Sequence, residues 1–340
     1  MKSINFVVLG DHHRIATGLG GKRGTTSDIV IYDRKTLDTL YSWIAPVTFP
    51  AKIQPLMQAI NIAEYAILDV TKIDKYLGEQ ILALDCLDFR QGFILHSYDI
   101  DEAKLNVLIK NTSVSHFKLI DNIDQLKYEV SRLKPKPNAE EVGEEKDILE
   151  KGGGSHHDSV VRPIDHAFDV KGVGTVILGV IKQGIVKVHD QLKIMPVGKD
   201  IIVKSIQMHD DAVQESKCPA RVGLAVKGIT ADEISRGDIL CYSQDNHVNV
   251  LSTAGTISTI FQKNPYYKED LIENQTYIVS IGLQIRPVKI KNHRSNTIEI
   301  TAEKPIVYMP CQRYVLLKPD SHGTRIIGQG IMQSEQIHHT

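Results

Sequence analysis

The sequence has few cysteines and no long apolar run. Its four cysteines are scattered, with no Cys-x-x-Cys pair, which argues against a disulfide framework and indicates reduced thiols in a cytoplasmic protein. No apolar stretch approaches the roughly 20 residues that a membrane-spanning helix needs. Residues 4–9 already form a strand-like run, with no basic leader or small-residue cleavage site before it. We therefore expect neither a signal peptide nor a membrane partner.

The chain also lacks an excess of charge of either sign. Lys and Arg number 40 against 41 Asp and Glu, for a formal net charge of −1. A balanced chain has no overall field that draws it to nucleic acid or to a membrane surface, so any basic patch has to be local. At 340 residues it is too long for one ordinary domain, and we expect two or three.

Residues 1–134 alternate strand and helix patterns. Residues 4–9 are nearly all apolar, as expected of a strand covered on both faces. Residues 28–32 and 39–44 are predicted as a strand pair joined by a polar turn at residues 33–35. Further strands are predicted at 65–70, 92–95 and 117–120, and helices at 52–64, 76–87, 100–109 and 123–133. Repeated strand–helix units predict a mainly parallel sheet wrapped by helices.

Residues 135–159 break this pattern. Prolines at 135 and 137 stop the last helix, and a run of mixed charge and then a glycine cluster follow. Low hydrophobicity with clustered charge and glycine predicts a flexible linker. The pairs His156 and His157, and His338 and His339, suggest metal ligands. Adjacent histidines without a fixed framework lack the geometry of a metal site, and we predict no bound metal.

From residue 160 onward the helical pattern is absent. Short alternating strands recur between Gly or Asp turns, in one block over residues 160–248 and a second over residues 249–336. This spacing predicts two small closed β-barrels, because closure removes exposed sheet edges. The predicted fold is therefore multidomain: an α/β domain with a parallel sheet, a linker and two all-β barrels.

Four landmarks of the first block resemble a known family. Residues 168–184 carry glycine-bounded strands, and residues 203–209 end in Met-His. Residues 220–228 and 235–240, the latter with Arg-Gly-Asp, follow in order. This series resembles domain 2 of translational GTPases of the EF-Tu type, and the second block, which closes on residues 324–330, resembles domain 3. The chain is most similar to archaeal-type elongation factors and their SelB-like relatives. The resemblance implies GTP and Mg²⁺ as cofactors, and tRNA and the ribosome as partners.

The α/β segment departs from the P-loop pattern that this resemblance implies. A working P-loop has Gly-x4-Gly-Lys-Ser/Thr directly after the first strand. Here Gly10 and Thr17 fit the first glycine and the hydroxyl, but Ile15 and Ala16 replace the Gly-Lys pair, and Asp11 adds a negative charge. Without the flexible glycine and the lysine cation, we expect GTP and Mg²⁺ binding to be lost.

A second glycine-rich stretch, residues 18–26, offers a displaced phosphate site. Gly21, Lys22, Gly24 and Thr25 would form its anion-binding loop. A mobile glycine-rich loop without a ligand is the plainer interpretation, because a phosphate site needs a strand and a helix to fix it.

The two other nucleotide motifs are altered as well. Residues 45–50 stand where the family has Asp-x-x-Gly, and both of those residues are missing. The guanine motif Asn-Lys-x-Asp falls on residues 96–99, of which Asp99 alone matches. Asp99 either contacts a guanine edge or, as we favour, caps the helix that follows.

The barrels retain positions that the resemblance implies for RNA binding. The family residue that contacts the terminal adenosine of tRNA falls on Gln207, two residues before His209. Glutamine still accepts and donates hydrogen bonds, although an outward strand residue without a ligand is an equal alternative. A basic cluster in the second block comprises Arg286, Lys289, Lys291, His293 and Arg294. Alternation puts Lys289 and Lys291 on one face, where they either follow an RNA backbone or are simply solvated.

The sequence therefore predicts a cytoplasmic SelB/EF-Tu paralogue that binds tRNA or another RNA, with no catalytic residue and no GTP. One alternative is an active GTP-binding factor with a rebuilt phosphate site at residues 18–26. The other is a protein-interaction scaffold that does not bind RNA.

Overall fold

The chain folds as an α/β domain followed by two β-barrels, which confirms the predicted fold class. The computed structural model describes residues 2–10, 12–23, 27–133, 162–209, 211–242, 251–294 and 296–333. The predicted linker, both histidine pairs, and Gly24 and Thr25 of the predicted anion-binding loop lie outside these ranges. The described elements run over residues 2–132, 162–242 and 252–331.

A seven-stranded sheet forms the middle of the α/β domain. Its strands are β1 (Lys2–Leu9), β2 (Gly21–Arg23), β3 (Val30–Lys35), β4 (Thr39–Ala45), β5 (Tyr65–Val70), β6 (Gly92–His96) and β7 (Lys118–Ile120). Its helices are α1 (His12–Leu19), α2 (Gln54–Ile62), α3 (Lys75–Cys86), α4 (Glu102–Ile109) and α5 (Ile123–Arg132). The order is β2-β3-β4-β1-β5-β6-β7, parallel from β4 to β7 and antiparallel at the β2–β3 edge.

The hairpin between β3 and β4 turns later than predicted. Residues 33–35 belong to β3 and pair with residues 40–42 of β4. Thr36 makes the turn instead, because its backbone N–H and its hydroxyl both donate to the carbonyl oxygen of Thr39, at 2.9 and 2.8 Å. A local side-chain bond of this kind fixes a turn more strongly than polarity does.

Helices cover both faces of the sheet. Val7 and Leu9 of β1 pack on the side of α2 and α3, while Phe6 and Val8 pack on the side of α1 and α5. Because successive strand residues point to opposite faces, a strand covered on both faces is mostly apolar, as β1 is from Phe6 to Leu9. Trp43 is fully buried beside Phe6, with ring centroids 6.1 Å apart.

Six strands close the first barrel. The first barrel and its adjoining strands are β8 (Arg162–Val170), β9 (Gly174–Ile181), β10 (Ile185–Lys187), β11 (Gln191–Met195), β12 (Lys199–Met208), β13 (Asp211–Val213), β14 (Glu215–Lys217), β15 (Ala220–Lys227) and β16 (Ile239–Tyr242). The barrel order is β11-β16-β8-β9-β15-β12, and β12 returns to pair with β11. β13 adds to β12, and β10 and β14 form a separate ribbon.

The second barrel is also closed by six strands. They are β17 (Ser252–Lys263), β18 (Thr276–Ile281), β19 (Gln284–Arg294), β20 (Thr297–Tyr308), β21 (Arg313–Leu317) and β22 (Ile326–Ile331), in the order β17-β20-β19-β18-β21-β22. Buried and exposed residues alternate along β19, as expected where one face of a strand lines the barrel interior.

The two barrels meet at a tight seam. Gly237 has a φ of +91°, and a Cβ at this position would lie 2.6 Å from the Cα of Gln284. The next residue, Asp238, is fully buried and accepts from Arg286 Nη2 at 3.2 Å and from Lys304 Nζ at 3.1 Å. A buried carboxylate with two cationic partners ties the first barrel to the second.

The α/β domain contacts the first barrel through polar pairs. Lys182 Nζ donates to the carbonyl oxygen of Ile62 at 2.9 Å and to Glu64 Oε1 at 3.2 Å. Arg236 Nη1 donates to both carboxylate oxygens of Asp28, at 2.9 and 2.8 Å. Burial alone would raise the pKa of Asp28, but the hydrogen bond and charge of Arg236 outweigh it and hold that pKa below its usual value. Asp28 therefore stays ionised in this contact at neutral pH.

Candidate nucleotide and RNA sites

The region that would form the phosphate loop is helical. Strand β1 ends at Leu9, and helix α1 begins only three residues later, at His12. Ile15 and Ala16, which stand at the Gly-Lys positions, are both fully buried in the core between α1 and the sheet. Thr17 is exposed on the same helix. The described part of this stretch, Gly10 and residues 12–17, presents neither an open loop of backbone N–H groups nor a lysine at the strand end.

An internal ion pair lies at the carboxyl end of β1 and β5. Gly10 has a φ of +91°, and a Cβ there would lie 2.0 Å from the carbonyl oxygen of Asp69. Arg14 Nη2 donates to Asp69 Oδ1 at 2.9 Å, and the Asp69 side chain is fully buried. The cation nearest this strand end therefore neutralises a carboxylate of the same chain. The sequence analysis did not identify this pair, although Arg14 is the one Arg or Lys between Gly10 and Thr17.

Residues 18–23 comprise the end of a helix and an edge strand rather than a loop. Helix α1 continues to Leu19, and Gly21 and Lys22 belong to the edge strand β2, which pairs with β3. Arg23, the last residue of β2, donates from Nε to Asp33 Oδ1 at 2.8 Å. Pairing of Gly21 and Lys22 with β3 differs from the loop expected there, while an anion-binding role for this stretch stays a prediction. Gly24 and Thr25 lie beyond the described part of this stretch.

Asp99 does not cap helix α4, contrary to the sequence prediction. The cap is Asp101, whose Oδ1 accepts from the backbone N–H groups of Ala103 and Lys104, at 3.0 and 3.2 Å. Asp99 lies exposed in the turn before it, which the bond from Ile100 N to Ser97 O closes at 3.0 Å. The helix begins at Glu102 rather than at residue 100, so the capping position falls two residues later than expected.

The first barrel presents Gln207 on its outer face. Gln207 is exposed on β12. Two rows of paired residues cross this face, one of Gln207, Gly223, Leu178 and His166, the other of Ser205, Ala225, Val176 and Phe168. Phe168 leaves 44% of its surface exposed. An aromatic ring and an amide on one open face are the groups that stack on and hydrogen-bond an unpaired base.

His209 lies at the contact with the α/β domain. Its Nδ1 is 3.1 Å from Asp33 Oδ2, its Nε2 is 2.9 Å from Arg23 Nη2, and its side chain is 11% exposed. A ring protonated on Nδ1 donates to the carboxylate and accepts from the guanidinium, so both bonds are satisfied. Lys35 pairs with Asp211 beside it. The structure therefore brings His209 to the β2–β3 edge, and its predicted role in RNA binding stays a prediction.

The basic residues of the second barrel divide into two groups. Lys289 and Lys291 are exposed and alternate with buried residues of β19, which confirms the predicted alternation; His293 and Arg294 are exposed at the end of the strand. Arg286 is different: it is 7% exposed, burial lowers its pKa, and it pairs with Asp238 across the barrel seam. Its assignment to the same surface cluster is wrong, because it lies on the inward side of the strand.

Other chemistry is sparse in the described residues. All four cysteines are free, as predicted, and burial raises the pKa of Cys86 to about 12 and that of Cys241 to about 11. Such thiols are poor nucleophiles at neutral pH. Among the residues described, no three His, Cys, Asp or Glu side chains gather as metal ligands do, and no helix is long and apolar enough to cross a membrane.

Known proteins resemble this chain in sequence and in fold. The family model "Elongation factor Tu domain 2" matches residues 174–241, within the first barrel. A solved structure of translation elongation factor SelB from Methanococcus maripaludis, in complex with the GTP analogue GppNHp, has the same fold, with a TM-score of 0.77 and 22% identity. That match covers 98% of this chain and 79% of the SelB chain.

Two relatives from Methanocaldococcus jannaschii extend the match along the sequence. One, described as "Uncharacterized protein MJ0325", is 33% identical over 311 residues, which is 91% of this chain and 93% of that protein. The other, a selenocysteine-specific elongation factor, is 30% identical over 301 residues; the match covers 84% of this chain but 61% of that factor, so this chain spans about three fifths of its length. The chain therefore belongs to the EF-Tu- and SelB-like family of elongation-factor-like proteins.

Proposed function

We propose that this protein is a SelB-like paralogue that binds RNA of the translation machinery in the cytoplasm and neither binds nor hydrolyses GTP. One observation carries the proposal: Ile15 and Ala16 are core residues of a helix at the positions where a P-loop has Gly-Lys. Both barrels beside this domain are closed. The barrels are the parts to which the resemblance assigns RNA contacts, and this supports the RNA-binding part of the proposal.

The residues at the strand ends do not fit a nucleoside triphosphate. A triphosphate needs several backbone N–H donors and a free cation. Here the helix begins at His12, and the Arg14 guanidinium is paired with the buried carboxylate of Asp69. Asp99 lies in an exposed turn without the Asn-Lys pair before it.

The outer surfaces of the barrels favour a single-stranded or terminal segment of RNA. Phe168 and Gln207 share one face of the first barrel. Adjacent strands lie about 4.8 Å apart, so the two side chains stand within the span of a few nucleotides. Lys289 and Lys291 add two cations on the second barrel, where they suit phosphates. A tRNA acceptor end, alone or on the ribosome, has this combination of unpaired bases and backbone.

Two titrations of the purified chain test the proposal. GTP and GDP should bind no more tightly than about 1 mM by calorimetry. Unfractionated tRNA should bind with a steep salt dependence in filter assays. The double variant Lys289→Ala/Lys291→Ala should reduce the slope of log K against log salt by roughly 1.4 to 1.8, because each phosphate contact contributes about 0.7 to 0.9.

A matched control separates contact from net charge. The variant Lys104→Ala/Lys110→Ala removes two exposed lysines from the α4 side of the α/β domain and should leave the slope unchanged. Micromolar binding of GTP would overturn the proposal in favour of an active GTP-binding factor. Failure to bind tRNA at low salt would overturn it in favour of a protein scaffold.

A further inference from the structure

Arg325 of the second barrel is anchored in the α/β domain. Its Nε and its backbone N–H both donate to Glu79 Oε1, at 2.9 and 3.1 Å, and its Nη2 donates to Glu79 Oε2 at 2.5 Å. The side chains are 11% and 7% exposed. A bidentate pair with this little solvent has the geometry that makes an Arg–carboxylate contact strong.

The same guanidinium reaches the segment between β4 and α2. Arg325 Nη1 donates to the carbonyl oxygen of Pro50 at 2.7 Å, and its Cζ lies 5.6 Å from the ring centroid of Phe49. Phe49 in turn packs edge-on against Tyr76 of α3, with centroids 6.2 Å apart. One side chain thus joins three elements: the β4–α2 segment, α3 and the second barrel.

A continuous apolar core surrounds this contact. Residues of α2 and α3 and residues of the second barrel belong to one buried cluster, including Leu56, Leu77, Leu283, Val315, Leu317 and Ile326. Gln58 of α2 is 5% exposed and donates from Nε2 to the carbonyl oxygen of Leu283 at 2.8 Å. Breaking this interface would expose apolar surface and give up the bidentate ion pair, and both losses are costly.

We propose that Arg325, Glu79, Phe49 and Pro50 form a permanent clamp that holds the α/β domain closed on the second barrel without any nucleotide. In GTPase switches, the segment that corresponds to the one between β4 and α2 is ordered by contacts to the γ-phosphate and released on hydrolysis. Here protein side chains hold that segment instead. The clamp rests on the proposed function. A factor that does not switch with GTP hydrolysis keeps its binding surfaces in one arrangement.

Hydrogen–deuterium exchange of the full chain tests the clamp without RNA. Peptides over residues 46–53 and over α3 should be equally protected with and without millimolar GTP. In Glu79→Gln and Arg325→Ala, exchange in both peptides should be at least about tenfold faster, because local opening becomes easier. Peptides over β9 and β15 of the first barrel should be unchanged, which reports that the variants are folded.

Asp88→Asn is the matched control. Asp88 pairs with Arg313 between the same two domains, but the distance is 3.4 Å and the side chains are 34% and 36% exposed, so its loss should not change exchange. Unchanged protection in folded Arg325→Ala would overturn the clamp, and so would GTP-dependent protection in the wild type. If Arg325→Ala does not fold, Arg325→Lys, which keeps the charge and loses the fork, takes its place. Loss of tRNA binding with the clamp intact would count against the proposed function alone.

Discussion

The α/β domain and the first barrel have diverged in different ways from one family pattern. In the α/β domain the strand interiors are intact, with Phe6, Val8 and Trp43 buried, whereas the residues at the strand ends no longer match the nucleotide motifs. In the first barrel the family model matches one continuous stretch, residues 174–241. The comparison separates two kinds of information: buried periodicity maintains a fold, and a few residues at strand ends supply its chemistry.

The largest expected effect comes from restoring the lost motif. Ile15→Gly with Ala16→Lys recreates the Gly-Lys sequence, but both positions are fully buried in α1. We expect a loss of about 4–6 kcal/mol in the free energy of unfolding, since a large side chain leaves the core and glycine weakens the helix. The buried lysine adds a further cost. Urea unfolding measures the loss, and calorimetry should detect no GTP binding.

Thr17→Ala is the control for this experiment, because it changes an exposed residue of the same helix. It should shift the unfolding free energy far less. A stable double variant that bound GTP at micromolar concentration would show that residues 15 and 16 alone prevent nucleotide binding. The α/β domain would then differ less from a nucleotide-binding domain than the structure indicates.

The stability of the barrels should be most sensitive to substitutions at the seam between them. Gly237→Ala places a methyl group 2.6 Å from the backbone of Gln284 at a φ of +91°, and we expect a loss of about 2–5 kcal/mol from overpacking and strain together. Gly172→Ala has a φ of +82° with nothing within 4 Å, so strain alone should cost about 1–2 kcal/mol. Thermal or urea unfolding of the pair isolates the seam. Equal losses would mean that the barrels do not depend on this contact.

The sequence predicts the elements of each domain better than the contacts between domains. The apolar run of β1 and the alternation around Lys289 are local periodicities, and both are present in the structure. Alternation also places Arg286, three residues before Lys289, on the buried face of β19. Its partner Asp238 lies 48 residues away in the first barrel. That pairing depends on how the two barrels pack, and no local spacing encodes it.

The same reason explains what was missed at the candidate site. Asp69 and Arg14 are separated by 55 residues, and Glu79 and Arg325 by 246. Each residue alone looks like an ordinary strand-end or helix charge. Residues 18–26 differ for another reason: their glycine content suggests a loop, while pairing with β3 makes residues 21–23 a strand. Pairing with the neighbouring strand overrode local composition.

The smallest expected effect concerns the vestige of the guanine motif. If the α/β domain keeps its fold but binds no nucleotide, substitution of Asp99 should not change the free energy of unfolding, since Asp99 is exposed in a turn. Asp101 should matter, because its carboxylate holds two N–H groups of α4 and its pKa is lowered, first by the bond from Lys104 N. Asp101→Ala should lower the urea midpoint measurably, while Asp99→Ala leaves it unchanged.

Because the folded-state pKa of Asp101 is depressed, its contribution to stability is present at neutral pH and lost as acid protonates the carboxylate. The two variants should therefore converge in stability at low pH. A larger loss from Asp99→Ala, above all one that GTP modulates, would instead place a working guanine contact in this domain.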